Sequence, residues 1–315
     1  MKPSPLRLIK ATQNLLSHEN PLGLPKTGSI PKFQRGLPTK RPIRNVSHVI
    51  AISSAKGGVG KSTIAANLAL AFSQLGYKTG ILDTDLFGPS IPTLFNLAGP
   101  DHSPHLTPNN QLVPLTNYAV KTMSMGYLVG EDAPLVWRGP MLLKAVQQLL
   151  HEVDWTSGSG GSSSSSAGGL DVLVLDLPPG TGDIQLSITQ QVELAGAVIV
   201  TTPHTLAIKD AIKGVNMFKK VGVPLLGVVN NMSTFNCPCC GTETEVFGSS
   251  AQVKRVCEEH EMDYLGDVPL HGRIGEDGSL GRPTVVSEPE SERAEVFRGI
   301  ARVVGGRIGL IKHDG

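Results

Sequence analysis

An apolar run, "HVIAIS", passes directly into "SAKGGVGKST" and then into a helical pattern, "KSTIAANLALAFSQLG". Strand, glycine-rich loop and helix in that order fix most of what such a chain can become. Glycines let successive backbone N–H groups curl around a phosphate, and the helix N-terminus adds positive potential. Lys61 can reach the outer phosphates, and the Ser62 hydroxyl can hold magnesium. The residues expected against phosphate are Gly57, Gly58, Val59, Gly60, Lys61, Ser62 and Thr63. A glycine turn beside a surface lysine explains neither the preceding strand nor the following helix. Where the usual pattern opens with glycine this chain has Ala55, and a second lysine, Lys56, follows it.

Further β-branched runs, "KTGILD", "DVLVLD", "AVIVTTP" and "PLLGVVNN", alternate with helical patterns. Strands apolar on both faces and separated by helices predict an α/β fold, a mainly parallel sheet with helices on both faces. Loops that do chemistry gather at the carboxyl ends of such strands. "ILDTDLFGPS" puts Asp83 and Asp85 at one such end, and "VLVLDLPPGTGD" puts Asp176 at another. Carboxylates beside a nucleoside triphosphate can bind magnesium through water or orient an attacking water, although strand-end aspartates also cap loops. Asp176 and Ser62 are expected on the magnesium side, with either Asp83 or Asp85 able to join them. The glycines of "PPGTGD" let that loop respond to a γ-phosphate. "VVNNMS" supplies Asn230 and Asn231, whose amides can pair with both edges of a base.

Charge sets further bounds. Residues 1–47 hold nine Lys/Arg against one acid, Glu19, whereas the remainder holds 19 against 26. The mildly acidic body argues against a nucleic-acid partner, and no apolar run is long enough for stable membrane insertion. Residues 1–45 are expected to be a basic tail, either a transit peptide, with Leu6, Ile9 and Leu16 loosely on one helical face, or a disordered extension. Residues 46–315 form the expected domain, interrupted by a Gly/Ser insert at 156–169.

The chain has four cysteines, too few for a disulfide framework, and three of them fall in "FNCPCCGT". Cys237 and Cys240 form a CxxC within a loop at 236–241, a bite suited to two thiolates on one metal centre. Cys239 lies between them and Cys257 stands alone in a helical segment. A tetrahedral metal or cubane cluster takes four ligands, so one chain is two short; two copies about a two-fold axis would supply them.

"KGGVGK" resembles the deviant Walker A loop of the partition, septum-site and nitrogenase-iron-protein ATPases. Together with "LDTDLFGPS", "VWRGPM", "LDLPPGTGD", "TTPHTLAIKDAIKG" and "NMSTFNCPCCG", it resembles the Mrp-type iron-sulfur carrier ATPases over residues 48–290. That resemblance implies an ATP- and Mg2+-binding homodimer that bridges a [4Fe-4S] cluster through Cys237 and Cys240 and passes it to apo-proteins. It implies that Lys56 reaches the other subunit's nucleotide, that Asp83 acts on magnesium through water, that Asp85 positions the hydrolytic water, and that Asn231 reads adenine. The tail is similar to that of the mitochondrial branch, the nucleotide-binding-protein-like carriers serving respiratory complex I, which implies the matrix rather than the cytoplasm. Two rival readings keep the ATPase: a structural zinc clip joining the dimer, or a partition-type spatial regulator. The second relies on a C-terminal amphipathic helix, which the Gly305-Gly306 pair is expected to interrupt.

Overall fold

The computed structural model describes residues 40–86, 88–99, 101–128, 139–156 and 168–310. Residues 1–39 of the expected tail, residues 157–167 of the insert and the "VWR" of residues 136–138 lie outside them.

In chain order the elements are β1 (Val46–Ser53), α1 (Lys61–Gln74), β2 (Thr79–Asp83), α2 (Ile91–Leu94), β3 (Leu115–Asn117), β4 (Val120–Ser124), α3 (Gly139–His151) and β5 (Leu170–Asp176). There follow α4 (Asp183–Gln191), β6 (Gly196–Thr201), α5 (Thr205–Lys220), β7 (Leu225–Asn236), β8 (Glu243–Thr244) and α6 (Ser250–Glu259). β9 (Tyr264–Leu270), α7 (Gly272–Ser279), α8 (Thr284–Ser287) and α9 (Glu292–Arg307) complete the order.

The strands form one nine-stranded sheet. β4, β2, β5, β1, β6, β7 and β9 run parallel in that spatial order, while β3 and β8 pair antiparallel with β4 and with the far end of β7. β2 and β6 are buried at every residue, as is β1 from Val49 onward. Burial without alternation means that both faces of the sheet are covered, as the unbroken apolar runs predict. α1 is buried from Ile64 through Phe72. Its alanines at 65, 66, 69 and 71 leave room for α9 and β5 to pack closely against it. Asn67, fully buried there, donates to Thr63 O at 2.9 Å and accepts from Val285 N at 3.1 Å, tying α8 to α1.

Three expectations change. The body starts before residue 46: Arg41 pairs with Val192, its N–H reaches Gln191 O at 2.8 Å, and Ile43 is buried in the core. α9 runs through Gly305-Gly306 to Arg307. A Cβ on Gly305 would stand 3.4 Å from Phe72 Cε1, so a glycine there permits close approach to α1. The helix turns Phe297, Ile300, Ala301 and Val304 inward, leaving no free apolar face for a membrane. β7 extends past Asn231 to Asn236, so both asparagines lie within the strand.

The insert's last two glycines are not equivalent. A Cβ on Gly169 would lie 2.0 Å from the backbone O of Asn45, whereas one on Gly168 meets only the mobile Lys78 ammonium. Gly169→Ala is expected to destabilise by about 1–3 kcal/mol and Gly168→Ala by much less, read from denaturant midpoints; equal midpoints would contradict this packing.

Candidate functional site

Strand register assembles the first cluster. Asp83 of β2 stands opposite Asp176 of β5, which stands opposite Ile52 of β1, while Ser124 of β4 flanks Asp83 on its other side. Both carboxylates are buried at the carboxyl edge of the sheet. Burial of two acids side by side demands compensation. Lys61, 6% exposed at the start of α1, supplies it by an ion pair with Asp176 Oδ1, and its ammonium also lies 3.2 Å from Ser62 Oγ. Asp83 is satisfied differently. Its Oδ1 accepts from Asp85 N at 3.0 Å, and its Oδ2 accepts from Ser90 N, Ile91 N and Ser124 Oγ at 3.0, 3.2 and 3.1 Å. Asp83 therefore holds the loop between β2 and α2 in place. Burial first, then the Asp176 charge, push its carboxyl up to about 7, against the Asp85 N–H and the Lys61 charge.

The phosphate loop lies above this pair. Gly58 and Gly60 have φ of 79° and 83°, left-handed values that favour glycine. Ser54, Gly57, Gly58, Gly60, Lys61 and Ser62 line a cavity of about 570 Å3. Thr63 and Asp85 line it too, so the structure brings most of the expected phosphate residues and one of the strand-end acids to one space. Val59 is buried beneath the loop. Lys56 is exposed and is not part of this lining; its charge reaches Asp210 on α5, whose carboxyl Lys213 foremost and Lys56 secondarily hold low. The lining also includes Thr93 and Leu94 of α2 and Ile274, Gly275 and Gly278 of α7, which motif reading missed. The glycine spacing of "GRIGEDGS" was the available signal.

Asp176 Oδ2 is buried without a hydrogen-bond partner among the described residues. An orphaned carboxylate oxygen near the Ser62 hydroxyl fits a hydrated divalent cation such as magnesium. Asn231 is placed otherwise than expected. It is 6% exposed, its Nδ2 donates to Val59 O at 2.8 Å, and a Cβ on Gly60 would meet that nitrogen at 2.2 Å. Its donor group is committed to the back of the phosphate loop, and the residue is outside the cavity lining. Asn230 turns toward Asp267, at 2.6 Å, and Ser250.

Five residues beyond Met232 in the same strand comes the cysteine hairpin. Asn236 pairs with Glu243, Cys237 N donates to Thr242 O at 3.0 Å, and Gly241, with φ of 70°, returns its N–H to Cys237 O at 2.8 Å. Cys239 and Cys240 are exposed, Cys237 is half-buried and Cys257 is buried away from them. Cys240 Sγ lies 3.2 Å from Thr242 Oγ1. Hydrogen bonds at Thr242, and then with the Cys237 thiol, hold its thiol below the ordinary value. The hairpin thus brings the two CxxC sulfurs together on an exposed tip. No group of three or more His, Cys, Asp or Glu suited to a metal occurs among the described residues. Thr242 was not anticipated from sequence.

Comparison with known proteins bears on the family and the fold. A family model described as the NUBPL iron-transfer P-loop NTPase, of the ParA type, matches residues 45–305. The iron-sulfur cluster transfer protein NUBPL of Mus musculus is 49% identical over 278 residues, covering 88% of this chain and 82% of its own. The iron-sulfur cluster carrier protein of Escherichia coli K12 is 45% identical over 266 residues, covering 84% of this chain and 68% of its own. Among solved structures, the nucleotide-binding protein of Archaeoglobus fulgidus, in complex with ADP, superposes with a TM-score of 0.65 at 32% identity, covering 80% of this chain and 93% of that one. The cell division ATPase MinD of Pyrococcus furiosus shares the fold, with a TM-score of 0.56 at 21% identity, covering 82% and 99%.

The raised Asp83 carboxyl has a consequence for stability. It keeps its proton to about pH 7 in the folded chain and to about 4 when unfolded. Its contribution is therefore fully present below pH 4 and is lost as pH rises through 7. Between pH 5 and 8 the wild type is expected to lose stability relative to Asp83→Asn, read from denaturant midpoints. Parallel pH profiles would show that Asp83 ionises normally.

Proposed function

The chain belongs to the NUBPL iron-transfer P-loop NTPase family, and from that premise we propose that it is an ATP-dependent iron-sulfur cluster carrier. Two copies hold one [4Fe-4S] cluster as cargo through Cys237 and Cys240 of each chain and deliver it to apo-proteins, among them subunits of respiratory complex I. The observation that carries this reading is the surface hairpin that brings the half-buried Cys237 thiol within hydrogen-bonding reach of the exposed Cys240, half of a cluster's ligand set. The basic, acid-poor N-terminal segment supports a mitochondrial matrix location. No helix among the described residues is long and apolar enough to cross a membrane.

The nucleotide acts through the first cluster. Backbone N–H groups of the glycine loop and the α1 N-terminus take the triphosphate, and Lys61 then exchanges part of its ion pair with Asp176 for phosphate oxygens. Ser62 and Asp176, with Asp83 behind them, would hold magnesium, which would supply charge neutralisation at the phosphates. Asp85 orients the attacking water, and Lys56, exposed and outside its own cavity, is free to act on the nucleotide of a second copy.

β7 carries the signal outward. Asn231 is bonded to the loop carbonyl of Val59, and Met232 beside it has φ of 55°, a costly conformation for a long side chain. The pairing of β7 with β9 shifts register between Asn231 and Phe235. Cys237 lies six positions beyond Asn231 along the strand direction, about 20 Å. A change at the loop on nucleotide binding or hydrolysis is thus passed to the hairpin through a strand already irregular at that point.

Anaerobic reconstitution with iron and sulfide tests the ligands. Cys237→Ser combined with Cys240→Ser is expected to lose the cluster absorbance, and Cys239→Ser to keep it; retention in the double variant would contradict the reading. Asn231→Ala tests the coupling: cluster loading is expected to persist while ATP stimulation of transfer to an apo-acceptor falls several-fold. Undiminished stimulation, with ATP binding checked separately, would exclude this route.

A further inference from the structure

The opposite edge of the sheet carries a feature that the ATPase reading does not use. Arg41 and Arg44 precede β1, His151 ends α3 and Gln191 ends α4, so these residues gather at the amino ends of the strands, away from the phosphate loop. They border two adjoining clefts of about 550 and 650 Å3 that share Arg41, His151 and Glu152. A third cavity of about 240 Å3 shares Glu152 with both; its walls are mostly apolar, with Leu106, Leu112, Met125, Leu128 and Leu149 alongside Asn110, Gln148 and Glu152. Together they form a trough with a cationic length and an apolar slot.

The charge is one-sided. Arg41, Arg44 and Lys144 are exposed, and among the described residues none of them forms an ion pair. Glu152 is the single carboxylate among the described lining residues. Convergence of like charges is unfavourable unless an anion joins them. His151, half-buried between the clefts, responds to it: burial and then the Arg41 and Arg44 charges hold its imidazole below the ordinary value, with Glu152 opposing. Leu106 and Leu128 at the slot are 58% and 43% exposed, an apolar surface continuous with the charged one.

We propose that this trough binds an extended acidic segment of a partner protein, with carboxylates along Arg41, Arg44 and Lys144 and one apolar side chain in the slot beside Leu112. Three features favour a peptide. The slot has room for a single leucine- or phenylalanine-sized group and not for a long acyl chain. Amide side chains, Gln147, Gln148 and Asn110 among them, line the route and can pair with peptide N–H and C=O groups. The chain's own residues 1–39 hold six Lys/Arg against Glu19, the wrong sign to occupy a cationic trough. The site lies apart from the cysteines and the nucleotide, so it stands or falls independently of cluster binding.

Fluorescence anisotropy on the full chain tests it, with a labelled nonapeptide of glutamates around one central leucine. The peptide is expected to bind, and its alanine counterpart about tenfold more weakly. Arg41→Glu with Arg44→Glu is expected to weaken binding about tenfold or more while ATP binding is unchanged. Should that pair disturb folding, the single exposed Lys144→Glu replaces it, with a several-fold loss expected. Absence of peptide binding, or binding indifferent to these reversals, overturns the proposal. So does Arg41-dependent binding of phosphatidylserine vesicles without peptide binding, which assigns the trough to a lipid surface, or full competition by millimolar inorganic phosphate, which reduces it to an anion site.

Discussion

The ion pair between Lys61 and Asp176 ties the phosphate loop to the centre of the sheet, and most of the functional geometry is referred to it. Asp176 is delivered there because β5 is apolar throughout and ends at the sheet's carboxyl edge between β1 and β2. Once buried, it requires a cation, and the first residue of α1 provides one. Removing one partner from a buried pair of this kind costs about 3–5 kcal/mol. Burial, and then the same negative charge, raise the Asp83 carboxyl, which gathers four donors from the loop between β2 and α2 and from β4. A triphosphate competing for Lys61 therefore disturbs an electrostatic set that reaches the loop, the switch and the sheet together.

β7 connects this centre to the cysteines. A strand is a stiff spacer when its ladder is regular; the pairing of β7 with β9 shifts between Val228 and Val229 and again between Asn231 and Phe235, the second shift beside the left-handed Met232 where the strand meets the phosphate loop. The left-handed Met232 and the Asn231 bond to Val59 place strain and contact at one point. The cysteine hairpin beyond it is held by backbone bonds at Cys237 and Gly241, while Cys240 stays exposed and Cys237 half-buried. Stability of the support combined with access to the cargo is what a carrier requires of its ligands.

Much of this was legible in the residues. Strand, glycine loop and helix, the strand-end acids and the CxxC each announce themselves through local chemistry, because a phosphate loop needs glycines and a buried parallel strand needs unbroken apolar runs. Distance-dependent features were not legible. Asn231 reads as a base-pairing amide in sequence, yet Gly60 approaches so closely that its donor is consumed by Val59. Gly305-Gly306 reads as a helix break, but packing against Phe72 overrides its weak propensity. Residues 40–45 read as tail because Arg41 and Ile43 show no periodicity, although long-range pairing with Val192 makes them part of the body. The α7 wall of the nucleotide cavity comes from far along the chain, and no spacing rule links it to the loop.

The central claim is that the cluster is shared between two copies. Native mass spectrometry of the anaerobically reconstituted chain measures this directly. A bridged carrier gives a species of two chains with one Fe4S4 unit, which separates into single cluster-free chains when the cluster is removed by chelation and oxidation. A cluster retained on a single chain, or a two-chain species holding zinc alone after reconstitution, would contradict it.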